Sequence, residues 1–388
     1  MGRKSYEELN ELKEQYKTDR LWSWSRYHKY RTSPFEYYLT YISDNKPDRE
    51  TSIYGSSGGF AHEILEKYYK NEIDYDKMVS DYDDMWVALH IAELKFDRSN
   101  EEKNAQISNK YYYNLKHFFT YHNPIKTKVD LERFIIIKIG NYIFQGYIDL
   151  CRKDDNGNFI IQDWKTSSIY LGSKAIEEAG QLILYAEGLR QMGVPLEKIK
   201  ICWNFMKYVS ISTQQANGKE NIRQIERSKI GESLKSNVKM WLKKSGYEEQ
   251  VDEYLSLLVD TNNIECLPKD VQEKYIIDDC YVFVELTEEL IENLKEDIVI
   301  TLDEIVEKEK QYKTNNNIKL FWDSKESVEK QSYYFANLCS WSANLHLPYK
   351  EYLEKLKEKE NSKNNIFGGI GSDISNTYDD DLDWLNSL

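Results

Sequence analysis

The stretch Phe144–Ser168, FQGYIDLCRKDDNGNFIIQDWKTSS, constrains this chain more than any other. It reads as two apolar strands joined by a turn at Asp155-Asn156-Gly157. Asp149, Asp163 and Lys165 stand where aliphatic residues would be expected. Charges inside a sheet are costly unless they are paired or hold a metal. Side chains alternate along a strand, so Ile161, Asp163 and Lys165 share one face, as do Gln145, Tyr147 and Asp149. A three-residue turn sets Asp149 across from Asp163, on the same side of the sheet. Two carboxylates there repel unless a cation lies between them. Mg²⁺ suits such a place, taking carboxylates, waters and a carbonyl oxygen such as that of Trp164. Lys165 then orients or deprotonates an attacking water, or stabilises charge on a phosphate. For the tripeptide alone, a buried Asp163–Lys165 ion pair is the better explanation. Asp149 is what opens the metal reading.

The 388 residues are 40% hydrophobic and 14% aromatic, enough to bury a sizeable core. The longest apolar runs, such as Phe134–Ile137, are too short to span a bilayer. The opening MGRKSYEELNELKEQYKTDR has no apolar signal core. The expectation is a cytoplasmic protein that meets no membrane. Cys151, Cys202, Cys266, Cys280 and Cys339 lack metal-finger spacing and read as reduced thiols. A net charge of −14 argues against a general nucleic-acid coat. It does not argue against a nuclease, in which only the cleft must be basic. Five Asp and no Lys or Arg follow from Asp373 onward, so the body is less acidic than the total.

The expected fold class is α/β, a mixed central sheet flanked by helices with helical extensions. The expected divisions are an N-terminal helical segment over 1–55 and a core over 56–212 with a helical insertion near 70–122. A mainly helical region over 213–358 and a disordered acidic tail over 359–388 follow. Ser56, Ser57, Gly58 and Gly59 read as the lead into a helix over FAHEILEKYYK. ERFIIIKIG, NYIFQGYIDL and NFIIQDWKTS read as a three-strand meander. Ser173 reads as the cap of one helix running to Gly193, and KIKICWNFMKYVSIS as the strand after it. Residues 220–312 read as mostly helix, with one strand-like patch at CYVFVEL.

Gln181 and Tyr185 lie four apart on the helix after the hairpin and so share a face. They belong either to a solvent-touching rim or to the site. His62 is either a structural histidine or a ligand. WSWSRYHKYR interleaves Trp22, Trp24 and Tyr27 with Arg26, Lys29 and Arg31. It fits stacking on unpaired bases with phosphate contacts, and equally a basic amphipathic helix. DDDLDWLNSL is a solubilising tail or a segment that docks on a partner.

Gly-Phe-Ala-His62, Gly146-Tyr-Ile-Asp149, Asp163-Trp-Lys165 and Gln181-Leu-Ile-Leu-Tyr185, in this order, resemble the RecB-like branch of the PD-(D/E)XK nuclease superfamily. The resemblance covers roughly residues 22–210, more loosely to 355. It implies a restriction-endonuclease-like core and Mg²⁺- or Mn²⁺-dependent hydrolysis of DNA, by an exonuclease or a structure-specific endonuclease. It makes His62, Asp149, Asp163 and the Trp164 main-chain carbonyl the metal ligands and Lys165 the catalytic lysine. Gln181 and Tyr185 become helix residues facing the site. Many relatives hold an iron–sulfur cluster on four cysteines. Here Ser33 stands before Pro34, and the C-terminal segment keeps only Cys339, so no iron–sulfur cluster is expected. The two segments are expected to pack by apolar contact instead. The composition suits a bacteriophage or mobile-element replication or recombination enzyme. No G-x-x-x-x-G-K-[ST] sequence is present, so any helicase would be a separate partner. A replication or recombination protein recruited through the acidic tail is the other expected partner.

Overall fold

The structure is a computed structural model that describes residues 4–366 apart from 44, 51, 216 and 217, with side chains up to 359. Most of the expected acidic tail therefore lies outside the described residues. Its first part does not read as expected: the helix Leu347–Ile366 runs through it.

Among the described residues six strands form one mixed sheet: β1 (Val129–Ile139), β2 (Tyr142–Lys153), β3 (Phe159–Lys165), β4 (Ile199–Gln214), β5 (Glu220–Glu226) and β6 (Tyr275–Val284). The first three form the expected antiparallel meander. β4 runs parallel to β3 after a helical crossover. β4 is long enough to serve two neighbours on one side, β3 along its first half and β5 along its second. β6 covers the other side, with a bulge between Asn204 and Val209. β5 was expected to be helix. Its pattern is short and polar, and it is a strand because β4 offers it a free ladder. The expected division at residue 212 falls inside β4, and β6 returns to the same sheet, so the sheet crosses that boundary.

Helices cover both faces. On one, Gly180–Gln191 and the long helix Glu288–Asn315 pack on Ile135, Ile137, Phe144, Ile161 and Trp203. On the other, Ile53–Tyr69, Tyr75–Ile91 and Glu101–Tyr121 bury Leu65, Tyr82 and Phe118 with Leu150 and Trp164. Ser173 is not the cap expected of it. Gly172, at φ 58°, takes that position without a side-chain bond. The single helix is two, Ser173–Glu178 and Gly180–Gln191. At the break Gly180 meets Trp24 so closely that a Cβ would lie 2.2 Å from the ring. Cys151, Cys202, Cys280 and Cys339 are buried and all five cysteines are free. Among the described residues no helix is long and apolar enough to cross a membrane.

The segments around Pro34 and Cys339, expected to pack by apolar contact, lie together. Phe35 and Leu39 share an apolar cluster with Phe335, Cys339, Trp341 and Tyr349. Ser33 donates to Asp323 Oδ2 at 3.0 Å within it.

Candidate active site

The sheet opens at the charged hairpin. The β2–β3 ladder runs from Lys153↔Phe159 to Leu150↔Gln162. One step further along that register Asp149 stands opposite Asp163. From there β2 stays with β1 and β3 stays with β4. The β1–β2 ladder is itself interrupted here, where Glu132 takes a left-handed φ of 47°. The two carboxylates therefore face a gap between strands rather than a closed sheet.

The helix Ile53–Tyr69 brings His62 across this gap. Its Nε2 lies 2.7 Å from the Trp164 carbonyl oxygen, and its Nδ1 lies 3.2 Å from Asp149 Oδ2. Both partners accept hydrogen bonds, so the arrangement favours a proton on each ring nitrogen. Burial works against that charge, but Asp149 outweighs it and holds the pKa above its ordinary value. Lys165 Nζ lies 2.7 Å from Asp163 Oδ2. Burial disfavours its charge too, and Asp163 more than restores it. Burial pushes Asp163 up to about 6, with the neighbouring Asp149 charge adding and Lys165 opposing. Burial also raises Asp149, but His62 reverses the direction and its pKa falls below the usual carboxylate value. Two acids, a lysine and a histidine thus meet in one crevice.

His62, Asp149 and Asp163 each offer a ligand atom, and these atoms lie within 4.8 Å of one another. One imidazole nitrogen, two carboxylates and an adjacent main-chain carbonyl fit a hard divalent cation, Mn²⁺ or Mg²⁺. The cation would take the place of the proton on the ligating nitrogen of His62.

Gln181 and Tyr185 lie on the helix that crosses β2. The Gln181 amide donates to the Tyr185 hydroxyl at 3.0 Å. The Tyr185 ring rests on Gly146, where a Cβ would come within 2.5 Å of it. That close approach explains the glycine in Gly146-Tyr-Ile-Asp149. The charges of Asp149 and Asp163 act on the Tyr185 hydroxyl, whose pKa burial raises to about 12. The structure thus brings His62, Asp149, Asp163 and Lys165 to one crevice, with Tyr185 within electrostatic reach and Gln181 bonded to Tyr185.

The expected base-stacking helix is different. Trp22 is 3% exposed and pairs as a strand stub with Phe144. Its amide donates to Ile143 and its carbonyl accepts from Gln145, filling the edge of β2 that β3 has left. Tyr27 is 3% exposed and its hydroxyl bonds Asp297. Trp24 packs on Gly180. Arg26 lies 4.5 Å from the Tyr41 ring and pairs with Glu309 at 3.5 Å. Lys29 pairs with Glu36 and Arg31 with Asp297. These aromatics and cations join the helix to the rest of the chain. Trp22 and Tyr27 are not available to bases.

Two residues that the pattern did not single out lie within electrostatic reach of Lys165. Glu178 is pushed up by burial, with Lys174 and Lys165 opposing. His28 is held down by burial, with Lys29 and Lys165 adding. His28 stacks on Trp24 at 5.8 Å between ring centroids. The i,i+4 spacing of Trp24 and His28 was the only trace of this in the sequence.

A family model described as the PD-(D/E)XK nuclease superfamily matches residues 21–313. No curated protein matches the chain. A solved structure described as "Crystal structure of SSO0001" is similar over 52% of this chain and 76% of its own, at 14% identity and a TM-score of 0.17. That likeness is too low to carry an argument.

Proposed function

The chain belongs to the PD-(D/E)XK nuclease superfamily, and on that premise we propose that it is a Mg²⁺- or Mn²⁺-dependent deoxyribonuclease acting from DNA ends. The observation that carries this reading is the meeting of His62, Asp149 and Asp163 within 4.8 Å, with Lys165 beside them. His62, Asp149, Asp163 and the Trp164 carbonyl would hold the cation. When bound, the cation polarises a phosphoryl oxygen and acidifies a water. Lys165 stands beside Asp163. It orients the attacking water and neutralises charge that develops on the phosphate. Gln181 and Tyr185 offer an amide and a hydroxyl to the same strand. Attack from an end follows the resemblance to RecB-like nucleases. A role in phage or mobile-element replication or recombination, with a partner held by the acidic tail, completes the reading.

The test is cleavage of end-labelled linear and closed circular DNA, single- and double-stranded, with Mg²⁺ or Mn²⁺. The expected outcome is loss of linear DNA only, reduced at least about 100-fold in Lys165→Ala and in Asp163→Asn. Nicked circles would replace the exonuclease by a structure-specific endonuclease. No cleavage with either metal would leave a DNA-binding accessory, and cleavage surviving both substitutions would place the active centre elsewhere.

A further inference from the structure

Trp164 turns its carbonyl into the crevice, 2.7 Å from His62 Nε2. The β2–β3 ladder stops at Leu150↔Gln162, so β2 gives that carbonyl no partner. The indole is buried, and its Nε1 takes no hydrogen bond. Its position is therefore set by the rings around it. One is His62, edge-on at 6.0 Å and 80°. Another is Tyr69, stacked at 5.9 Å and 20°. Both belong to the helix Ile53–Tyr69, seven residues and about two turns apart, so they share one side of it.

Tyr69 is in turn fixed at its hydroxyl. The oxygen accepts from the Ile125 amide at 3.1 Å and lies 2.7 Å from His122 Nε2. With the Ile125 amide donating, the hydroxyl proton is directed at His122 Nε2. That arrangement favours the imidazole proton on Nδ1, which lies 3.2 Å from Asp279 Oδ2. Asp279 accepts from Arg227 Nη2 on its other oxygen, and Arg227 Nε donates to the Met206 carbonyl at 2.8 Å. The chain of bonds thus starts at the main chain of β4 and ends flat against the residue after Asp163. His122, Asp279 and Arg227 are all buried. The same face of the sheet is otherwise filled by side chains such as Leu65, Leu115 and Phe118. Apolar residues would pack there at no cost in buried charge, so the polar chain needs a further reason. Fully paired polar groups at this depth rigidify what they hold. We propose that Tyr69 is a positioning residue of the metal site. The His122–Asp279–Arg227 chain fixes its ring on Trp164, and the ring keeps the Trp164 carbonyl and the His62 imidazole aimed at one cation. This rests on the nuclease reading and adds what holds two of its ligands in place.

The test is the affinity of the full chain for Mn²⁺ without DNA, read from the paramagnetic resonance of free Mn²⁺, beside the Tm of each variant. Tyr69→Leu removes the stacked ring and is expected to weaken binding about 10-fold or more, the usual cost of losing a group that orients a ligand. Tyr69→Phe keeps the ring but frees it from His122, and a smaller loss of about 3-fold is expected. His122→Gln leaves an acceptor for the hydroxyl and is expected to bind Mn²⁺ more tightly than His122→Leu. Leu89→Ala lies in the same apolar layer on the neighbouring helix Tyr75–Ile91. It is expected to lower Tm and to leave Mn²⁺ affinity within about 2-fold of wild type. Affinity unchanged in Tyr69→Leu, or in Tyr69→Phe should the first not fold, would mean that Tyr69 serves only the fold, and the inference would fall. A loss in Leu89→Ala equal to that of the Tyr69 variants would overturn it too. Wild-type binding with a flat series thus sinks the inference alone. No Mn²⁺ binding by the wild type would sink the metal reading itself, and the inference with it.

Discussion

Lys207 lies inside the molecule, 2% exposed, with its amine 3.8 Å from the centroid of the Tyr111 ring. Burial pushes its pKa down to about 7, and the charge of Lys110 adds to the effect. The unfolded chain keeps this proton to about pH 10.4. Between pH 7 and 10 the unfolded state therefore binds more protons, and stability rises with pH. Below pH 7 the penalty for burying the ammonium is felt in full. Lys207→Met is expected to stabilise the chain by about 1–3 kcal/mol at pH 7 and to flatten the rise between pH 7 and 9. Urea unfolding at four pH values checks this; an unchanged slope would show that another group titrates there. Lys207 gave no sign in the sequence, because ICWNFMKYV does not say which way the amine turns. The helix Glu101–Tyr121 lies over this face and buries it. Asp149, Asp163 and Lys165 were legible for the opposite reason. Strand alternation and a short turn are local rules, and local rules put all three at one place.

Elements were legible where their pattern was local and less so where a distant partner decided. The meander and β4 are β-branched and aromatic runs, and they fold as such. WSWSRYHKYR left a DNA surface and an amphipathic helix both open, because its partners lie some 270 residues away. Tyr27 bonds Asp297, Tyr30 bonds Glu304 at 2.8 Å, and Glu309 accepts from Arg20 at 2.7 Å and Tyr37 at 2.6 Å. All of these acceptors lie on the long helix Glu288–Asn315. Its acids, spaced seven and five residues apart, reach the N-terminal segment along one side, so one element fixes another. Burial favours protonation of Glu309, but Arg20 and Tyr37 outweigh it and keep the carboxylate charged. Glu309→Ala leaves two partly buried guanidiniums beside each other with no acceptor between them. The expected loss is about 2–4 kcal/mol. Glu309→Gln, which keeps an acceptor, is expected to lose less. Chemical denaturation of both variants measures the difference, and equal losses would show that hydrogen bonding is not the cause.

At the scale of the whole molecule, the two ends of the described chain close on one another. The segment after Asn315 buries Phe321, Val328, Phe335, Leu338, Trp341 and Tyr349, several of them against Phe35 and Leu39. Phe321 also lies over Tyr37 and Tyr38, beside the Glu309 pairings. Burial of six such side chains is worth roughly 1.5–3 kcal/mol each, about 9–18 kcal/mol together. A whole domain is stable by about 5–15 kcal/mol. A chain cut after Asn315 therefore loses an amount comparable to all of its stability, and the helices that hold Trp22 on β2 lose their cover. The expected outcome is a chain that aggregates, or melts far below wild type, and that loses its nuclease activity. Phe335→Ala, in a residue 0% exposed, samples the same contact mildly and is expected to cost about 3–5 kcal/mol while leaving a folded chain. Soluble yield and thermal melting of both variants decide the matter. A soluble cut chain with wild-type Tm and cleavage would mean that the C-terminal segment is an appendage, and that the sheet with its flanking helices stands alone.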